Sequence, residues 1–172
     1  MAISERLHAM AGYCLLLPLA LLGCSPTSAP SAIPPAMYVS LAGQGAVLDA
    51  PAARDLINGY RRNQGLEPLA LDAALMAEAT RRARAMAEGG DVSLGARTDI
   101  VARLAAGGLG QRQVRESVSA GYFTISDAFS GWRGSIQHDA TLRFEPGRRM
   151  GIAAEHRPGS RHNVYWALIV SD

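Results

Sequence analysis

Apolar positions divide the chain into segments with different periods. Asp49-Ala50-Pro51 places an acidic cap before a proline suited to a first helical turn, and Leu56, Ile57 and Tyr60 follow on one face. That helix runs to Asn63-Gln64-Gly65, and Leu66 to Leu69 form a short bridge. Asp72 caps a second helix whose Leu75, Ala79, Ala83 and Met86 fall one turn apart, and Glu88-Gly89-Gly90 ends it. Thr98 caps a third helix over residues 99–105, closed by Gly107-Gly108. Residues 114–119 alternate, which predicts a strand, and residues 124–132 return to helical spacing. Two strands, 149–156 and 163–170, flank the turn Arg157-Pro158-Gly159-Ser160-Arg161 and predict a hairpin. Helices on both sides of a small antiparallel sheet predict an α+β fold, a three-layer α-β-α sandwich.

The N-terminus has a different pattern. Arg6 precedes an apolar run from Ala9 to Leu22, which is short for a membrane span and is interrupted by Pro18. The run ends in Leu21-Leu22-Gly23-Cys24, which resembles a bacterial lipobox. On that reading residues 1–23 are a signal peptide and Cys24 becomes the lipidated first residue. More than one acyl chain then anchors it stably to the membrane. Ser25 after the cysteine points to the outer membrane, facing the periplasm, in a two-membrane cell. Residues 24–46 read as a Pro/Ser/Ala-rich tether and residues 47–172 as the folded domain.

Composition narrows the chemistry. The chain holds two cysteines. Cys14 leaves with the signal and Cys24 carries lipid, so no thiol remains for a disulfide, a zinc cluster or a nucleophile. All 17 basic residues are arginine and the formal net charge is +2. With acidic residues nearly balancing and aromatics scattered, a nucleic-acid partner is not expected.

The segment Gly131-Trp132-Arg133-Gly134-Ser135-Ile136-Gln137-His138, followed by Met150-Gly151-Ile152-Ala153, resembles the "Trp-x-x-Ser-x-x-His … Val-Gly-Val" stretch of the CAP superfamily (cysteine-rich secretory proteins, antigen 5, pathogenesis-related proteins). Leu56-Ile57-Asn58-Gly59-Tyr60-Arg61 and Gly65-Leu66-Glu67-Pro68-Leu69 are similar to that family's opening motif. Met86-Ala87 and the segment from Arg103 to Gly108 resemble two of its helix ends. Arg115-Glu116-Ser117 stands where the family has Gly-Glu-Asn, and the segment from Tyr165 to Val170 resembles its closing strand.

The resemblance implies a central cavity where two histidines and acidic residues converge, which in some members binds a divalent metal. Glu116 and His138 match two of those positions. Leu94 stands where the other histidine is expected, and Arg82 where many bacterial relatives carry a histidine. One carboxylate and one imidazole are too few for a zinc site, so neither metal nor cofactor is expected. Glu116 and His138 either pair, which would raise the His138 pKa, or simply join sheet to helix. A Ser135–His138–Glu116 hydrolase is the catalytic alternative, but no nucleophile elbow surrounds Ser135, which reads more simply as a turn or cap. Trp132 and Trp166 read as core aromatics, with ligand stacking as the alternative. His156 and His162 flank the hairpin turn and read as exposed.

Arg81-Arg82-Ala83-Arg84 reads as a solvated helix face with a Glu78–Arg82 pair, or with Arg82 turned into the cavity. The expected protein is a monomeric, lipid-anchored envelope module. Its cavity, with Glu116, His138, Ser135 and Trp132, engages a lipid, a glycan or a protein without catalysis. A degenerate hydrolase and a structural envelope protein are the alternatives.

Overall fold

The computed structural model describes residues 35–92, 97–107, 110 and 112–172. Three of its helices start where a side chain satisfies free backbone donors. Helix α1 spans Ala50–Asn63, and the Asp49 carboxylate accepts from the Ala52 N–H at 2.9 Å. Helix α2 spans Ala73–Gly89. Asp72 accepts from the N–H groups of Ala74 and Leu75 at 2.9 and 3.0 Å, and Gly90 closes the helix in the left-handed region at φ 65°. Helix α3 spans Arg97–Ala106. Helix α4 spans Ile125–Arg133, capped by Thr124, which accepts from the Asp127 N–H.

Two elements depart from the sequence reading. The bridge after α1 contains a two-residue strand β1, Ala70–Leu71. The segment after α4 forms a separate helix α5, Ile136–Leu142, with Ser135 at its N-cap position but no side-chain capping bond. His138 therefore lies inside a second short helix and not at the end of α4.

Strand β2 spans Val114–Ala120, β3 Arg149–His156 and β4 Val164–Ser171. The sheet order is β1-β3-β4-β2. β1 runs parallel to β3, while β3 and β2 each pair antiparallel with β4. The β3–β4 hairpin turns through Gly159 at φ 77° and Asn163 at φ 61°.

Side-chain alternation on β4 builds the layers. Val164, Trp166, Leu168 and Val170 pack with Ile57 of α1, Phe129 and Trp132 of α4 and Leu142 of α5. Tyr165, Ala167 and Ile169 pack with Ala79 and Ala83 of α2 and Ile100 and Leu104 of α3. Helices thus cover both faces, and the α+β three-layer sandwich follows. A Cβ on Gly151 would strike the Leu75 backbone, so glycine lets α2 lie directly on β3. Ahead of α1, Leu41 is buried and its N–H donates to the Phe123 carbonyl at 2.7 Å. Among the described residues no helix is long and apolar enough to cross a membrane.

Candidate functional site

Strand β2 sends neighbouring side chains to opposite faces, and this decides the geometry of the predicted site. Glu116 shares a face with Val114 and Val118, toward α2 and α3. Its Oε1 lies 3.3 Å from Arg103 Nη2 and 3.6 Å from Arg82 Nε, and its side chain is 8% exposed. Glu78, fully buried on α2, binds Arg81 with one oxygen and Arg103 with the other. Arg103 therefore bridges two carboxylates, one on α2 and one on β2. The expected Glu78–Arg82 pair is replaced by Glu78–Arg81, because Arg82 turns inward to Glu116.

Ser117 and Ser119 face the other way, toward α4 and α5. His138 Nδ1 sits 3.3 Å from Ser117 Oγ, which donates to the His138 carbonyl at 3.5 Å. Burial lowers the His138 pKa from 6.5, favouring the neutral ring. The expected Glu116–His138 pair does not form, nor does the pKa rise it would bring. The carboxylate and the imidazole lie on opposite faces of the sheet.

The Ser135–His138–Glu116 arrangement is not assembled, for the same reason. Trp132 is fully buried. Its Nε1 donates to Ser119 Oγ at 3.0 Å, and its ring meets Trp166 edge-on at 6.2 Å. Both rings are core. Ser135 is half-buried at the head of α5. The His162 ring stacks edge-on against Tyr165. Among the described residues no three histidine, cysteine or acidic side chains gather as metal ligands. Leu94 and Cys24 lie outside the described residues.

The charged cluster thus joins Glu78 and Glu116 to Arg81, Arg82 and Arg103. Arginine keeps its proton at neutral pH, so such a cluster suits charge recognition or bracing better than proton transfer. Sequence reasoning gave no role to Arg103 or to the motif residues Asn58 and Arg61. Asn58 exchanges two bonds with the Leu69 backbone at 2.8 and 2.9 Å. Arg61 is fully buried and donates to the carbonyls of Glu67, Leu142, Phe144 and Gly147. The available signal for Arg61 was its place one turn after the core residue Ile57.

A four-stranded sheet with helices on both faces and a motif-borne arginine stitching α1 to the loops beneath it defines the class of domain. Residues 54–169 match the model of the Cysteine-rich secretory protein family (CAP), and the chain belongs to that family. A search of curated proteins found no match.

Three solved structures share the fold. An outer surface protein from Borrelia burgdorferi is 16% identical with a TM-score of 0.61, covering 75% of this chain and 98% of that one. An extracellular protein containing an SCP domain from Bacillus anthracis is 21% identical with a TM-score of 0.59, covering 70% and 39%. A cysteine-rich secretory protein from Staphylococcus aureus is 16% identical with a TM-score of 0.56, covering 70% and 37%. The alignments span less than half of the latter two proteins.

Proposed function

We propose that this protein is a CAP domain tethered to the cell envelope through a lipidated Cys24, working as a non-catalytic binding module for a lipid, a glycan or a protein. One observation carries the reading. The Glu116 carboxylate is held by Arg82 and Arg103 on the face opposite His138. An acid–base pair needs its members within hydrogen-bond reach of one reacting atom. Guanidinium groups flanking a carboxylate instead offer fixed donors in a fork geometry. The Borrelia protein's description as an outer surface protein, and the Bacillus protein's as extracellular, agree with an envelope location.

The test has two parts. Cys24→Ala is expected to move the protein from the membrane to the soluble envelope fraction, and persistent membrane association would overturn the anchor. Native mass spectrometry of the protein purified from its own host is expected to show a bound mass that Glu116→Gln removes. A bare mass in both forms would overturn ligand binding at this cluster.

A further inference from the structure

Among the described residues the sheet's own strands leave two edges unpaired, the outer side of β2 and the outer side of β3 beyond β1. β1 pairs with β3 only at Arg149 and Met150. Beyond Met150, the outer edge of β3 has no strand beside it among the described residues. Which backbone groups face that edge follows from the bonds present. The Met150 carbonyl accepts from the Asp72 N–H at 2.9 Å, away from β4, while the Arg157 N–H bonds Asn163 at 2.7 Å on the hairpin side. Even-numbered residues of β3 therefore point their N–H and C=O groups outward. Ile152 agrees: its N–H meets the Met76 sulfur at 3.2 Å, and a thioether is a weak acceptor. Ile152 is itself fully buried, so the groups within reach along the edge are both backbone groups of Ala154 and the His156 N–H.

This edge lies in a continuous groove. One cavity of about 270 Å³ runs between Leu48, Ala50 and the Met76–Ala83 side of α2, floored by Ile152 to Glu155. A second of about 570 Å³ continues past His156, and both share Ala46, Ala154 and Glu155. The walls of the first cavity are mostly apolar, the second also presents Gln44 and His156, and Val47 is 83% exposed at the mouth. Glu155 lines both cavities, and neither is lined by arginine.

We infer that this open edge of β3 is a docking site for an extended segment of a partner protein, which would pair beside residues 154–156. The groove states the chemistry of its occupant. Outward donors and acceptors at strand spacing match a peptide backbone. Side chains of an added strand alternate between the faces. One row meets Leu48 and Ala50 and is apolar. The other meets Thr80 and Glu155 and carries a basic residue opposite the carboxylate. Three edge residues at about 3.3 Å each span about 10 Å and accept the middle of an extended segment. The edge lies apart from the Glu116 cluster and stands whether or not that cluster binds a ligand.

The probe is the capped peptide acetyl-Val-Thr-Val-Arg-Val-amide, added to the full-length chain and read by amide hydrogen exchange. The expected result is that the Ala154 and His156 amides exchange about tenfold more slowly with peptide than without. Ala154→Pro removes an outward N–H while leaving the β3–β4 ladder intact, and edge strands tolerate proline. It is expected to abolish the protection. Thr80→Arg, on an exposed helix position, is expected to do the same by filling the groove and repelling the basic peptide. A counterpart with Glu in place of Arg is expected to bind at least about tenfold more weakly, or about 1.4 kcal/mol.

Unchanged exchange at Ala154 and His156 would overturn the proposal, as would equal binding by both variants or by the Glu peptide. Protection without peptide that rises with protein concentration would assign the edge to a second copy. Protection at every concentration would assign it to the chain's own residues. Either outcome overturns the partner-peptide reading.

Discussion

The two faces of the sheet are held by different chemistry. On the α1, α4 and α5 side the two inward-reaching motif residues bind backbone. Arg61 gathers four carbonyls from the loops after α1 and α5, and Asn58 clamps the segment leading into β1. On the α2 and α3 side the inward polar groups bind one another, as carboxylates and guanidiniums. Backbone carbonyls cannot be substituted, so the first arrangement is tied to the fold itself. Ion pairs are made of side chains, so the second can change while the helices stay in place. Here Arg82 of α2 faces Glu116 of β2.

Replacing Arg61 tests the first face most severely. Arg61→Ala leaves buried carbonyls without donors and opens a void, and it is expected to cost about 4 kcal/mol. Arg61→Lys, which keeps the charge but loses the fork, is expected to recover less than half of that. Denaturant midpoints of both variants measure it. A loss below about 1 kcal/mol for the alanine variant would erase the contrast between the faces.

Glu78→Gln is the matching change on the second face. The isosteric amide leaves Arg81 without its carboxylate and Arg103 with one fewer, since Glu116 still holds it. Both guanidiniums reach solvent, with 64% and 31% of the side chain exposed, so screening limits the cost to about 2 kcal/mol. A destabilisation larger than that of Arg61→Ala would reverse the ranking of the two faces.

The smallest effect concerns His138. Its pKa is lowered by burial from 6.5. Near pH 7.5 the ring is largely neutral in both folded and unfolded chains, and its titration contributes little. As pH falls through 6.5 the unfolded chain takes up the proton first, so stability drops. The drop levels off once the pH has passed below the folded-state pKa. His138→Gln is expected to flatten the melting temperature between about pH 7.5 and 5 relative to the parent. An equal slope in both proteins would remove His138 as the source.

Features written in local chemistry were legible in the sequence. Asp49 and Asp72 cap their helices because each is an oxygen-bearing side chain just ahead of an apolar period. The Pro-Gly turn fixed the hairpin. Features defined by distant partners were not legible. β1 is two residues long and exists only through its pairing with β3. α5 begins without a side-chain capping bond, so Ser135 gave no firm start signal. The separation of Glu116 from His138 depends on which way one residue of an edge strand faces. Arg103 meets a carboxylate 25 positions earlier in the chain, across two elements.

β4 sits between β3 and β2, and every one of its residues is buried. That position sets an order of assembly. Before residues 164–171 emerge during synthesis, β2 has no ladder to join, and both helical layers lack the surface they pack on. A chain interrupted ahead of that strand presents two apolar faces at once. The finished domain buries both faces.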